Sequence, residues 1–135
     1  MIQKVIEKQL ISHEGERLFL YVCPAGKNTI GIGRNLSDKG ISTAEARFML
    51  KNDIKECVDD LSKIIFPDHW DRFTDNMQHV LIDMRLQLGS YGFSRFIKLI
   101  AAFKSFDIKQ VKAEMKDSLW YGQTTNRANN LMEML

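Results

Sequence analysis

The sequence predicts an α+β fold, and three observations carry that expectation. Leu18 to Val22 and Thr29 to Gly33 are extended, β-favouring stretches joined by turn residues. A long helical period without Gly or Pro follows them, and several shorter helical periods fill the remainder. With 135 residues the chain suits one domain, or two small lobes sharing a core, and 44% hydrophobic with 27% charged side chains is too apolar a mixture for a disordered segment.

Taken in order, Val5, Ile6, Gln9 and Leu10 are spaced by threes and fours and predict a short amphipathic helix ending near Ser12 to Gly15. Leu18-Phe19-Leu20-Tyr21-Val22 then favours a strand, Pro24 to Asn28 a turn, and Thr29-Ile30-Gly31-Ile32-Gly33 a returning strand, so a hairpin is expected. The alternating glycines leave one face without side chains, where a second backbone or a ligand can approach closely. Ser37 to Gly40 reads as a loop. Ser42 and Glu45 form an S-x-x-E capping box in which each satisfies a free donor at a helix start. The helix it opens carries Leu50, Ile54, Cys57, Leu61 and Ile64 or Ile65 at steps of three and four, and nothing interrupts it before Pro67. Beyond Phe66-Pro67, helical patterns are expected at about 74–88, 93–104, 107–119 and from about 125, punctuated by Gly89, Gly92 and Gly122. These should pack as one mainly α lobe. The expected division within a single domain, 1–135, is an N-terminal lobe at about 13–65 that includes the connecting helix, and a C-terminal lobe at about 66–135 joined by 1–12.

Nineteen Lys and Arg against seventeen Asp and Glu leave a net charge of +2, which is not the basic excess of a nucleic-acid binder. The charges are spread along the chain, and the mild positive balance is compatible with an anionic polymer among other partners. Cys23 and Cys57 form no CxxC pair and are too few for a disulfide scaffold, so free thiols are expected. His13, His69 and His79 lack ligand spacing, and Gly31-Ile32-Gly33 lacks the third glycine of a dinucleotide fingerprint. No metal or organic cofactor is therefore expected, and Met77 and Met84 read as core. Lys4, Glu7 and Lys8 break the first ten residues, leaving no signal-peptide core, and no apolar run is long enough to span a bilayer. The expected location is the cytosol unless another protein releases the chain.

Candidate chemistry begins at Glu14. A carboxyl at a helix end beside a hairpin is either an ordinary exposed glutamate or, if a cleft partly buries it, a general acid. Cys23, at the start of the hairpin turn, is either a small buried hydrophobe or a group facing Glu14, and Thr29 is either a plain strand residue or a third member of that cluster.

Glu14-Gly15-x-Arg17-Leu18, Tyr21 and Thr29-Ile30-Gly31-Ile32-Gly33 together resemble the active-site signature of the phage-type lysozymes, glycoside hydrolase family 24. The family pattern of Glu, eight residues, Asp or Cys, five residues, Thr is matched by Glu14, Cys23 and Thr29. Trp120-Tyr121-Gly122-Gln123-Thr124-Thr125-Asn126-Arg127-Ala128 resembles the C-terminal motif of the T-even phage members. The resemblance implies a lysozyme-like fold with the sugar chain held between two lobes. It also implies a muramidase that hydrolyses the β-1,4 bond between N-acetylmuramic acid and N-acetylglucosamine in peptidoglycan.

By the same resemblance Glu14 is the general acid, Arg127 its ionic partner, and Thr29 the residue that positions water. Cys23 stands where many members have Asp, so the base or water-orienting role falls to a thiol. Arg34 replaces a frequent His, and Asp53 falls where that His finds its acidic partner, so an Arg34–Asp53 ion pair is expected. Asn35, Leu86 and Gln87 match substrate-contact positions, whereas Leu99 and Glu114 differ in chemistry and are not carried over. The implied protein is a monomeric endolysin acting on peptidoglycan strands, dependent on a holin for release from the host cytoplasm, with no nucleic acid partner and no stable membrane insertion. Two other outcomes fit the same residues: a lytic transglycosylase in which Glu14 acts alone, and a wall-binding module that has lost catalysis with the missing aspartate.

Overall fold

The structure, a computed structural model, describes residues 2–65 and 67–135, with only the backbone of Pro67; Met1 and the expected lobe boundary at Phe66 lie outside the described residues. The element order is α1 (Ile2–Glu14), β1 (Arg17–Val22), β2 (Asn28–Gly31), β3 (Arg34–Asn35), α2 (Leu36–Lys39), α3 (Thr43–Ile64), α4 (Pro67–Trp70), α5 (Asp75–Ser94), α6 (Ile97–Lys104), α7 (Ile108–Lys116), α8 (Leu119–Gln123) and α9 (Thr125–Met134). The described chain is mostly helical, with a small three-stranded antiparallel sheet near its beginning, as an α+β reading requires. It divides into two compact units, Met1–Phe48 and Met49–Leu135, so the division crosses α3 near its start.

In the N-terminal unit the expected hairpin gains a third strand, in the order β1-β2-β3. Tyr21 pairs with Thr29 and Val22 with Asn28, and an irregularity toward Arg17 puts extra residues on β1. Thr29 pairs in turn with Asn35, and Ile30 with Arg34, so Ile32 and Gly33, after the last residue of β2, Gly31, make the connection between β2 and β3. The expected loop at Ser37 to Gly40 is instead a helical turn, because the Asn35 side chain accepts the Asp38 N–H at 3.0 Å and caps it. The capping box is present: Ser42 Oγ accepts the Glu45 N–H at 3.1 Å, and Glu45 Oε1 accepts the Ser42 N–H at 2.9 Å. No residue of α1 is buried, so its apolar spacing forms the helix without placing it in a core.

The C-terminal unit holds the hydrophobic core. Leu61 near the end of α3 and Ile65 just beyond it meet Val80, Leu81 and Met84 of α5, Phe93, Leu99 and Phe103, and Val111, Met115, Ala128 and Leu131 from the later helices. Burying each large side chain of this set stabilises by roughly 1.5–3 kcal/mol, against about 0–1 kcal/mol for an exposed ion pair, so packing dominates here. α5 breaks at Gly89 (φ 77, ψ 168), where the sequence ends a helix. The pattern expected from about 107 to 119 ends at Lys116 as α7, and Ser118, which accepts the Tyr121 N–H, starts a further helix, α8, that the pattern does not contain. Arg85, almost fully buried, links α5 to α3 through Asp60 at 2.6 Å and Glu56 at 3.7 Å. Burial pushes the Asp60 carboxyl up, but hydrogen bonds from Ser90 and Arg85 outweigh it and the net shift is downward. Among the described residues no helix is long and apolar enough to cross a membrane.

Candidate active site

Glu14 is the last residue of α1, and Gly15 ends the helix in the left-handed region (φ 74) while its N–H reaches the Ile11 carbonyl at 2.8 Å. That stop fixes where the carboxyl points. The exposed Glu14 side chain lies against Gly33, in the connection between β2 and β3: a Cβ placed on Gly33 would stand 2.6 Å from Glu14 Oε2 and 2.9 Å from its carboxyl carbon. The helix end and the glycine turn, separate motifs in the sequence, thus meet.

Cys23 and Thr29 are joined through one acceptor. The Lys27 carbonyl takes the Cys23 N–H at 3.0 Å and the Thr29 hydroxyl at 2.9 Å, closing the turn between β1 and β2 around both residues. Thr29 is 4% exposed, the one buried residue of the N-terminal unit among those described. The Cys23 thiol is half-buried and titrates below its ordinary value: the Lys27 backbone amide lowers it most, burial opposes, and the Ala25 amide and Thr29 hydroxyl add to the lowering. Such a thiol holds more thiolate, the form that can accept a proton, at neutral pH than a free cysteine does.

Arg34 was expected to pair with Asp53, but its partner is Glu45. Nη2 lies 2.7 Å from Glu45 Oε2, and Nη1 donates to Oε1 at 2.9 Å and to the Gly40 carbonyl at 3.2 Å. The capping box explains the correction, since it already holds the Glu45 carboxylate at the start of α3, more than two helical turns before Asp53. Within its own unit Arg127 has Asp83 as ionic partner, with Nε to Oδ1 at 2.7 Å.

Of the three expected substrate contacts, Asn35 is engaged as the cap of α2, its Nδ2 also donating to Asp38 Oδ2 at 3.0 Å. Leu86 is 39% exposed and stands outside the core. Gln87 Oε1 accepts the indole N–H of buried Trp120 at 3.0 Å, which orients the amide. Leu99 is core, as its altered chemistry requires, and Glu114 accepts from Gln110 at 2.8 Å.

The sequence profile of the phage lysozyme family matches residues 11–132, a span that includes every candidate residue from Glu14 to Arg127 and covers most of each compact unit. The chain belongs to the phage lysozyme family. Among curated proteins none matches it. As a phage lysozyme family member it is a cell-wall hydrolase that acts on peptidoglycan. In this phage lysozyme, sequence reasoning overlooked the Lys27 backbone, which serves the site through main-chain atoms that any residue type supplies. It also overlooked Glu45 as the partner of Arg34, although the S-x-x-E signal that locates its carboxylate was in view. Asp83 lies forty-four residues from Arg127 and carried no local signal at all.

Proposed function

We propose that this phage lysozyme is an endolysin of the muramidase type, of the glycoside hydrolase family 24 kind, cleaving the β-1,4 bond between N-acetylmuramic acid and N-acetylglucosamine. The observation that carries the reading is the seating of Glu14 on the Gly33 turn, in the same small unit as the linked pair Cys23 and Thr29. Glu14 donates its proton to the glycosidic oxygen as the bond to the sugar carbon breaks. Cys23, with its lowered thiol pKa, takes a proton from the attacking water, whose oxygen adds to the same carbon, and Thr29 orients that water. Arg127 is assigned as the ionic partner of Glu14. Its Nε is held by Asp83, and the terminal nitrogens are the donors such a pair would use. Asn35, Leu86 and Gln87 contact the glycan. The endolysin accumulates in the host cytoplasm as a monomer, needs neither metal nor organic cofactor, and reaches the wall when a holin opens the membrane.

Clearing of permeabilised Gram-negative cells tests the assignment. Wild type should clear the suspension, and Glu14→Gln should lose activity by about 10²–10⁴-fold, the usual contribution of a positioned acid. Equal or absent clearing in both proteins defeats it. Mass spectrometry of the released fragments should show reducing ends, and 1,6-anhydro ends would replace hydrolysis by transglycosylation.

A further inference from the structure

Gly31 and Gly33 flank Ile32 and both have a left-handed φ, 69 and 66. A tight connection between two short strands accounts for both glycines equally. Their surroundings differ. A Cβ on Gly31 would meet nothing within 4 Å, whereas one on Gly33 would meet Glu14 Oε2 at 2.6 Å, Cδ at 2.9 Å and Cγ at 3.1 Å. Real Cβ contacts essentially never fall below 3.0 Å, so the carboxylate occupies the space a side chain at position 33 would need.

We infer that Gly33 is a positioning residue for Glu14: the absent side chain forms a slot on the turn that seats the carboxylate. The inference rests on the muramidase reading, in which Glu14 is the proton donor. The atoms that would clash belong to the far end of a flexible exposed side chain, not to backbone. A methyl group on Gly33 therefore displaces the carboxylate and leaves the fold in place. Misplacing a reacting group by about 1 Å costs on the order of 10²-fold in rate.

The test compares Gly33→Ala with Gly31→Ala, which put the same methyl group on residues that both have a left-handed φ and so both carry backbone strain. Thermal midpoints should fall in both variants. On peptidoglycan, Gly33→Ala should lose about 10²-fold in kcat with KM changed by less than about threefold, while Gly31→Ala loses far less in kcat. Similar kcat values for the two variants overturn the inference. In the wild type, a nuclear Overhauser contact between the Glu14 γ-protons and the Gly33 α-protons should be present, and its absence overturns the inference even if neither variant folds. Glu14→Gln, assayed in parallel, separates the two levels. If that variant is inactive while Gly33→Ala keeps its kcat, only the positioning role falls; if it clears cells like wild type, the muramidase reading falls with it.

Discussion

On the proposed muramidase reading the thiol at position 23 serves as the base, and its surroundings bear on whether it can. An unperturbed thiol, with a pKa of about 8.5, is mostly neutral at pH 7. Here the amides of Lys27 and Ala25 and the hydroxyl of Thr29 favour the thiolate over the penalty of burial. The hydroxyl has a single proton, which goes to the Lys27 carbonyl in this structure and is available to sulfur once the thiolate forms. If Cys23 is the base, activity falls as pH drops through this lowered thiol pKa, since protonation removes the acceptor. Cys23→Ser should lose roughly 10²-fold or more, and Cys23→Asp should recover activity with its lower pH limb moved to the carboxylate range near about 4. A pH–rate profile of the three proteins checks this, and an unmoved limb in Cys23→Asp would remove the thiol from the mechanism.

At the scale of elements, the start of α3 concentrates three tasks on one carboxylate. Glu45 caps its own helix through Ser42, receives both nitrogens of the Arg34 fork, and thereby ties the end of the sheet to the helix. The Arg34 hydrogen bond, followed by those from Ser42, holds its carboxyl down to about 2 from an ordinary 4.5. Because the folded value is depressed, this stabilisation is complete above the unfolded value and is lost as pH falls from about 4.5 toward about 2. Glu45→Gln should therefore be less stable than wild type at pH 7, with the difference shrinking across that window and weakening in high salt. Denaturant titrations at pH 7, 4 and 2 measure it. The cap was legible in Ser42-x-x-Glu45 because capping is local. The Arg34 contact was not, because it depends on how β3 and α2 bring residue 34 back to the helix start, and family analogy pointed two turns too far along. The α2 turn was missed for a related reason: Ser37 to Gly40 reads as loop until Asn35 is recognised as its cap.

At the scale of the molecule, chemistry and packing are assigned to different parts of the chain. The hydrophobic core runs from Leu61 to Met132, entirely within the C-terminal unit, while Glu14, Cys23 and Thr29 belong to the N-terminal one. Hydrogen exchange should follow that division, with amides of α5, α6 and α7 protected to the global unfolding limit and those of α1, which buries nothing, exchanging first. Comparable protection in α1 would contradict it. The helical half was legible because periods of three and four mark core faces directly, as Met77, Val80, Leu81 and Met84 do. The seating of Glu14 on Gly33 was not, since nineteen positions separate them and only the folded turn brings them together. One contact in the packed half gives the enzyme an optical handle. The chain has two tryptophans: Trp70 stacks edge-on against Phe73 inside the core, but Trp120 donates its indole proton to Gln87, a candidate glycan contact. A saccharide that draws on the Gln87 amide changes the partner of that indole, so fluorescence emission can follow occupancy of the glycan site in an unlabelled protein.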